Sequence, residues 1–208
     1  QVNSINFELL TNSEGLMHNS IDPIYQDSRG YMWLGTVNGL YKYNGYRYKI
    51  YKNALGNQNS IIGNRFTAII EDSEGVLWIG TSSGLCRYNR DTDSFSRELI
   101  NAQSNSSFIF KHNVNTLFED DSKTLWVGTS DGLHRLDRGS NGFTFSVYQA
   151  DSNGVGLSNN YVTQILQDDM GLLIGTRKGL NRLIFKEGSE LEIKRMLHMY
   201  VCIYVCMY

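Results

Sequence analysis

One pattern recurs four times in this chain, and it restricts the fold more than any other feature. Aligned on a Gly-Thr dipeptide, the copies run Tyr25–Asn44, Ile70–Asn89, Phe118–Asp137 and Leu166–Leu183. The glycine of that dipeptide falls at Gly35, Gly80, Gly128 and Gly175, giving intervals of 45, 48 and 47 residues. A period of this length belongs to arrays in which each unit buries its apolar face on the next. Stacked helices are excluded, because the units lack a 3.6-residue periodicity and set β-branched and aromatic residues between turn signals.

The second copy, EDSEGVLWIGTSSGLCRYN, shows the reading within one unit. Strand A covers Phe66–Glu71. Asp72-Ser73-Glu74-Gly75 is a turn, since Asp can bond nearby backbone N–H groups and Gly accepts positive φ. Strand B is Val76–Thr81, a turn follows at Ser82-Ser83-Gly84, strand C is Leu85–Asn89 and strand D is about Phe95–Leu99. Strand B is apolar throughout at Leu77, Trp78 and Ile79, which requires cover on both faces of the sheet. The expected fold is therefore all-β: a β-propeller of four blades, each a four-stranded antiparallel sheet. Blades occupy residues 1–197, and 198–208 form an atypical low-complexity tail. Asn6–Ile21 is similar to Phe145–Val162, so the chain opens on a strand D that can complete the last blade. Glu190–Leu197 is the alternative last outer strand.

The copies differ. Lys123 stands where the others have Gly30, Gly75 and Gly171; at positive φ a lysine costs roughly 1–2 kcal/mol. The fourth copy lacks the tryptophan and one residue, leaving Leu172-Leu173-Ile174. A one-residue change flips strand register unless a bulge absorbs it, so this blade is expected to be the weakest.

The pattern D-x-x-G-x-x-W-[LIV]-G-T-x-x-G-L resembles the regulator-propeller repeat, over residues 6–184. That family builds periplasmic sensor domains of hybrid two-component histidine kinases. The resemblance implies an extracytoplasmic module that binds an oligosaccharide and relays binding through a dimer and a membrane helix to a cytoplasmic kinase. It implies partners of three kinds: an oligosaccharide, a second copy, and further domains of the same protein. The kinase activity belongs to those further domains, and this fragment is expected to be no enzyme. Family members usually carry two seven-bladed propellers, so four blades imply a fragment of a larger propeller, a truncated product or a small stand-alone relative. The start at Gln1 implies a missing upstream segment. The tail Met199–Tyr208 cycles with period four, as a translated tandem nucleotide repeat would; it also reads as an apolar strand covering a blade edge.

Bulk chemistry narrows the function. The formal net charge is −2, without the clustered Lys and Arg that nucleic acid requires. No apolar stretch reaches the length of a membrane span. No catalytic residue, cofactor or metal site is expected: the four histidines, His18, His112, His134 and His198, form no ligand spacing, and no nucleotide-binding or nucleophile-elbow motif occurs. Asp27, Asp72, Asp120 and Asp168 read as turn formers, Trp33, Trp78 and Trp126 as core, and Gly35, Gly80, Gly128 and Gly175 as close-approach positions. Ligand contacts are expected from the turns between strands B and C, at Asn38, Ser83, Asp131, Arg177 and Lys178, and from the D–A loops Asn53–Gly63, Asn101–His112 and Ala150–Asn159. Those loops share one face in a propeller, where ligands usually sit. Each residue there also reads as plain solvated turn chemistry. Two rivals remain: a propeller lyase or glycosidase, and an interaction scaffold using an aromatic patch at Tyr41, Tyr46, Tyr48 and Tyr51. Tyr43 aligns with Tyr88 and reads as core.

Overall fold

The computed structural model describes residues 20–100, 107–109, 111–140, 142–186 and 191–196. Every regular element in them is a strand. Blade 1 comprises β1 (Ile21–Gln26), β2 (Met32–Thr36), β3 (Gly39–Tyr43) and β4 (Tyr48–Tyr51). Blade 2 comprises β5 (Phe66–Glu71), β6 (Leu77–Thr81), β7 (Gly84–Asn89) and β8 (Ser94–Ser96). A small hairpin, β9 (Glu98–Ile100) with β10 (Ser107–Ile109), follows it. Blade 3 is β11 (Val114–Glu119), β12 (Leu125–Thr129), β13 (Gly132–Gly139) and β14 (Gly142–Tyr148). Blade 4 is β15 (Val162–Asp168), β16 (Gly171–Thr176), β17 (Gly179–Phe185) and β18 (Leu191–Arg195). All sheets are antiparallel meanders in chain order. Strand D of blade 2 is shorter than its sequence suggests, because the chain leaves the sheet after Ser96 to form the β9–β10 hairpin.

The first strands of successive blades adjoin one another: β1 with β5, β5 with β11, and β11 with β15. They therefore line the inside of the array. No comparable contact joins β15 back to β1 among the described residues, so the four blades form an open arc. The outer position of blade 4 belongs to β18, which pairs with β17 from Phe185↔Leu191 to Asn181↔Arg195. That is the second of the two expected outer strands, and it fills the place an N-terminal strand D would need. Residues 6–19 and the tail 199–208 lie outside the described residues.

Tryptophan fills each wedge. Trp33 packs with Phe66, Ile69 and Tyr88 of blade 2, Trp78 with Val114, Leu136 and Phe143 of blade 3, and Trp126 with Val162, Ile165 and Leu183 of blade 4. All three are fully buried. The repeat glycine beside each one admits the following blade. A Cβ on Gly80 would lie 2.5 Å from Val114 Cγ1, and one on Gly128 would lie 2.7 Å from Val162 Cγ1.

The repeat aspartate locks the turn to the wedge. Asp27 Oδ1 accepts the N–H groups of Arg29 and Tyr31, at 3.0 and 2.9 Å, while Oδ2 accepts the Trp33 indole N–H at 3.0 Å. Asp72 does the same with Glu74, Val76 and Trp78, and Asp120 with Ser122, Thr124 and Trp126. In blade 4 the tryptophan position is Leu173, and Asp168 instead takes a bidentate pair from Arg182 at 2.5 and 2.8 Å. Lys123 does adopt the left-handed conformation, φ 64°. The residue missing from the fourth copy is lost from the turn itself: Asp168 pairs directly with Gly171 across a two-residue Asp169-Met170 turn. Register survives, with Ile165↔Ile174 matching Ile69↔Ile79. Gly171 thus begins β16 and is no counterpart of Gly30. A bulge early in strand A occurs in all four blades, so it is a property of the repeat and no repair.

Two polar links cross each of the first two junctions, and the first of them recurs at the third. Glu71 accepts the Ser28 N–H and hydroxyl at 2.5 and 2.7 Å, and Glu119 accepts those of Ser73 at 2.7 and 3.0 Å. At the third junction the pair is Asp121 and Gln167: Asp121 N–H donates to Gln167 Oε1, and the Gln167 amide donates back to Asp121 Oδ2. The second link is an arginine. Arg90 reaches back to Asp27 at 2.9 Å while also holding Glu71 at 2.7 Å. Arg138 likewise pairs with Asp72, and with Glu74 at 2.9 Å. Phe185 takes the corresponding place in blade 4, its ring 6.3 Å from Trp126. Burial pushes the Asp27 carboxyl up, but hydrogen bonds from Trp33 and Arg90 outweigh it and hold the group below its ordinary value.

Arg90→Ala leaves the buried Asp27 without its counter-charge. It should cost about 3 kcal/mol of stability, read as a lower denaturation midpoint in urea at pH 7.

Candidate functional site

The registers place strand-A starts, strand-D ends and B–C turns at one end of every sheet: Thr36 pairs with both Ile21 and Gly39, and Leu40 pairs with Tyr51. The D–A loops and B–C turns therefore share a face, as the sequence reading required. Each B–C turn is built alike. Thr36 Oγ1 accepts the Asn38 N–H at 3.1 Å and donates to the Gly39 carbonyl at 3.0 Å. Thr81, Thr129 and Thr176 repeat this for Ser83, Asp131 and Lys178. The backbone of every turn is fixed, and its two central side chains are free to vary.

Asn38, Ser83, Arg177 and Lys178 are exposed, and Asp131 is half-buried. They stand one turn per blade along the arc, and no hydrogen bond or ion pair joins any two of them among the described residues. Ser83 lies against Gly63 at the end of the first D–A loop. The Arg177 guanidinium lies 3.5 Å from the centroid of the Tyr161 ring, and Arg177 N–H donates to the Tyr161 carbonyl. A stacked guanidinium keeps its edge N–H donors available for a planar anion.

Two of the three long D–A loops are clamped; residues 101–106 and 110 of the third lie outside the described residues. Arg97 donates to the Ser60 carbonyl at 2.8 Å, the Ile61 carbonyl at 2.9 Å and Asn53 Oδ1 at 3.1 Å, holding the first D–A loop. Arg195 does the same for the loop into blade 4, through the carbonyls of Gly156, Asp151 and Leu157 at 2.9–3.0 Å. In both cases the arginine comes from the outer part of the blade that follows the loop. Sequence reasoning missed these clamps; an arginine in or just after strand D, opposite a long polar loop, was the available signal.

It also missed a histidine pair. His112 and His134 stack with centroids 5.2 Å apart, and His112 Nδ1 is 3.8 Å from Asp131 Oδ2. His134 is buried. Burial, and then the neighbouring His112, push its pKa down to about 4. The scaffold patch is corrected. Tyr41 and Tyr51 are core, and Tyr48 is half-buried. Tyr46 alone of the four is widely exposed, at 90%. Tyr43, expected in the core beside Tyr88, is half-buried and stacks on Tyr48 at 4.4 Å, because no preceding blade covers it among the described residues.

Two cavities, of about 510 and 470 Å³, open at the opposite face, between A–B turns of blades 3 and 4 and of blades 1 and 2. Among the described residues no group of three or more His, Cys, Asp or Glu is placed to hold a metal ion, and no helix is long and apolar enough to cross a membrane.

Comparison with known proteins gives this geometry a lineage. The two component regulator propeller family matches at residues 15–38, 60–83 and 109–131. The chain carries two component regulator propeller repeats at these residues. Each matched segment spans a strand A, the aspartate turn, strand B and the B–C turn; the tryptophan-less fourth copy lies outside them. The extracellular domain assigned to the hybrid two component system BT3049 of B. thetaiotaomicron is similar over 92% of this chain and 26% of its own, with TM-score 0.71 and 28% identity. That assigned to BT4673 of the same organism shares the fold, with TM-score 0.63 and 22% identity over 86% of this chain and 25% of its own. Histidine kinase P4 of Formosa agariphila is 43% identical over 47 residues, 23% of this chain and 3% of that protein. The regulator propeller repeats thus span about a quarter of the solved domains they resemble.

Because the buried His134 is held neutral while an unfolded histidine protonates near 6.5, stability is complete above pH 6.5 and falls as pH drops towards 4. The loss should approach about 3 kcal/mol in denaturation midpoints between pH 7 and pH 4. His134→Asn, the residue blade 4 carries as Asn181, should flatten that slope.

Proposed function

We propose that this chain is the ligand-binding part of the extracytoplasmic, periplasmic sensor of a two-component system, which recognises an oligosaccharide and relays its binding to a histidine kinase. The observation that carries the reading is the likeness to the BT3049 extracellular domain along nearly the whole chain, at 28% identity, through repeats of the regulator-propeller type. The chemistry of the loop face agrees with it. A rigid Thr-anchored turn on each blade presents two interchangeable side chains, and the first and last D–A loops beside them are polar and clamped. Asn38, Ser83 and Asp131 offer the paired donors and acceptors that sugar hydroxyls need. Blade 4 differs: Arg177, stacked on Tyr161, and Lys178 place two positive charges side by side. An acidic sugar is the ligand that arrangement fits. The function read from this face is recognition.

Thermal melts against a panel of neutral and acidic oligosaccharides test this. An acidic oligosaccharide should raise the melting temperature, and Arg177→Ala with Lys178→Ala should abolish the rise without lowering the ligand-free melt. A rise only with neutral glycans, or one indifferent to those two residues, would reject the blade 4 assignment.

A further inference from the structure

The three junctions inside the arc follow one set of rules, and both ends of the arc carry the residues for a fourth. Each blade offers the next an apolar residue two before its aspartate, a glycine seat, and the residue just after the aspartate. Each next blade answers with the first residue of its strand A, an apolar residue three before its aspartate, and Glu or Gln just before it. On blade 4 the offered set is bare. Leu166 is 57% exposed, whereas its counterparts Tyr25, Ile70 and Phe118 pack into the wedges. Gln164 is exposed where Pro23, Ala68 and Thr116 are covered. The Gly175 seat meets only atoms of its own blade, the nearest being Thr163 Oγ1 at 3.1 Å. On blade 1 the answering set is bare along β1: Ile24 is 60% exposed where Ile69 and Ile165 are buried, and Gln26 is exposed. Further out on that face Leu34 and Tyr41 are already covered.

The polar residues identify the partner. Serine faces glutamate at the first two junctions, Ser28 with Glu71 and Ser73 with Glu119, whereas aspartate faces glutamine at the third, Asp121 with Gln167. An aspartate there could not face a glutamate without like-charge repulsion. Blade 4 offers Asp169, and β1 ends in Gln26, the one combination that repeats the third junction. The arginine link is absent from both sides in step: Asp168 is already paired with Arg182 of its own blade, and Gly45 stands in blade 1 where blade 2 has Arg90.

We propose that the blade 4 face of this chain docks the β1 face of a second copy, head to tail, with Ile21 on the Gly175 seat, Ile24 and Leu166 in the wedge, and Gln26 paired with Asp169. Such an interface is heterologous, so two copies can close on each other or further copies can add.

Sedimentation velocity of the 208-residue chain over a rising concentration series is the test. Concentration-dependent association is expected. Gln26→Glu should raise the dissociation constant at least tenfold by setting a carboxylate against Asp169, and adding Asp169→Ser should restore it by recreating the Ser–Glu pair. Both positions are exposed, and unchanged thermal melts of the variants check that they fold. A single monomeric species at every concentration would overturn the proposal. So would association that ignores Gln26→Glu, or that Asp169→Ser fails to rescue.

Discussion

The bond from the tryptophan indole to the repeat aspartate is the point on which the rest of this structure turns. It places the largest side chain of each blade in the wedge between sheets, and it does so from the carboxylate that also closes the A–B turn. Local turn geometry and long-range packing are thereby one event. A buried carboxylate would be costly alone; here backbone N–H groups, the indole and, at two junctions, an arginine from the next blade meet its lone pairs. Blade 4 shows what replaces it. Without tryptophan the aspartate turns to Arg182, the turn shortens by a residue, and the outward face carries Leu173 in place of a large ring.

Much of this was legible in the sequence because repetition separates what a blade needs from what it tolerates. Asp27, Asp72 and Asp120 recur at one offset from Trp33, Trp78 and Trp126, and that offset is the hydrogen bond itself, although reading it as turn chemistry caught only half of its role. The glycines of Gly-Thr were readable as sites of close approach, since β-strands rarely spare a side chain otherwise. The open arc was not legible: closure depends on whether β18 or an N-terminal strand takes one edge, and both segments have suitable patterns. Nor was the shortened turn, because a missing residue can be absorbed in a strand or in a loop at similar cost.

The loop face shows the opposite balance. Its scaffold, the threonine that fixes each B–C turn, is periodic and belongs to the recurring Gly-Thr dipeptide. The residues that vary there, Asn38, Ser83, Asp131, Arg177 and Lys178, could be placed on a face but given no partners, since contacts between loops leave no period. Tyr161 under Arg177, and His112 against His134, sit at positions that recur in other blades, where Arg65 with Ser82 and Asn113 with Ser130 make the same backbone bond as Tyr161 with Arg177, but the side chains at those positions change from blade to blade. The tyrosines of blade 1 misled for the same reason: their crowding suggested a surface, whereas strand alternation sends Tyr41 and Tyr51 inward.

The arginine clamps give the loop face a mechanical property. Arg97 and Arg195 each belong to the outer part of the blade that follows the loop they hold, so neither loop is tethered only to its own hinge. A molecule that displaces residues 53–63 must either break four hydrogen bonds to one guanidinium or drag the rim of blade 2 with it. Displacement on the inner rim of the arc is thus geared to its outer circumference, where successive sheets splay apart and a small tilt becomes the largest movement.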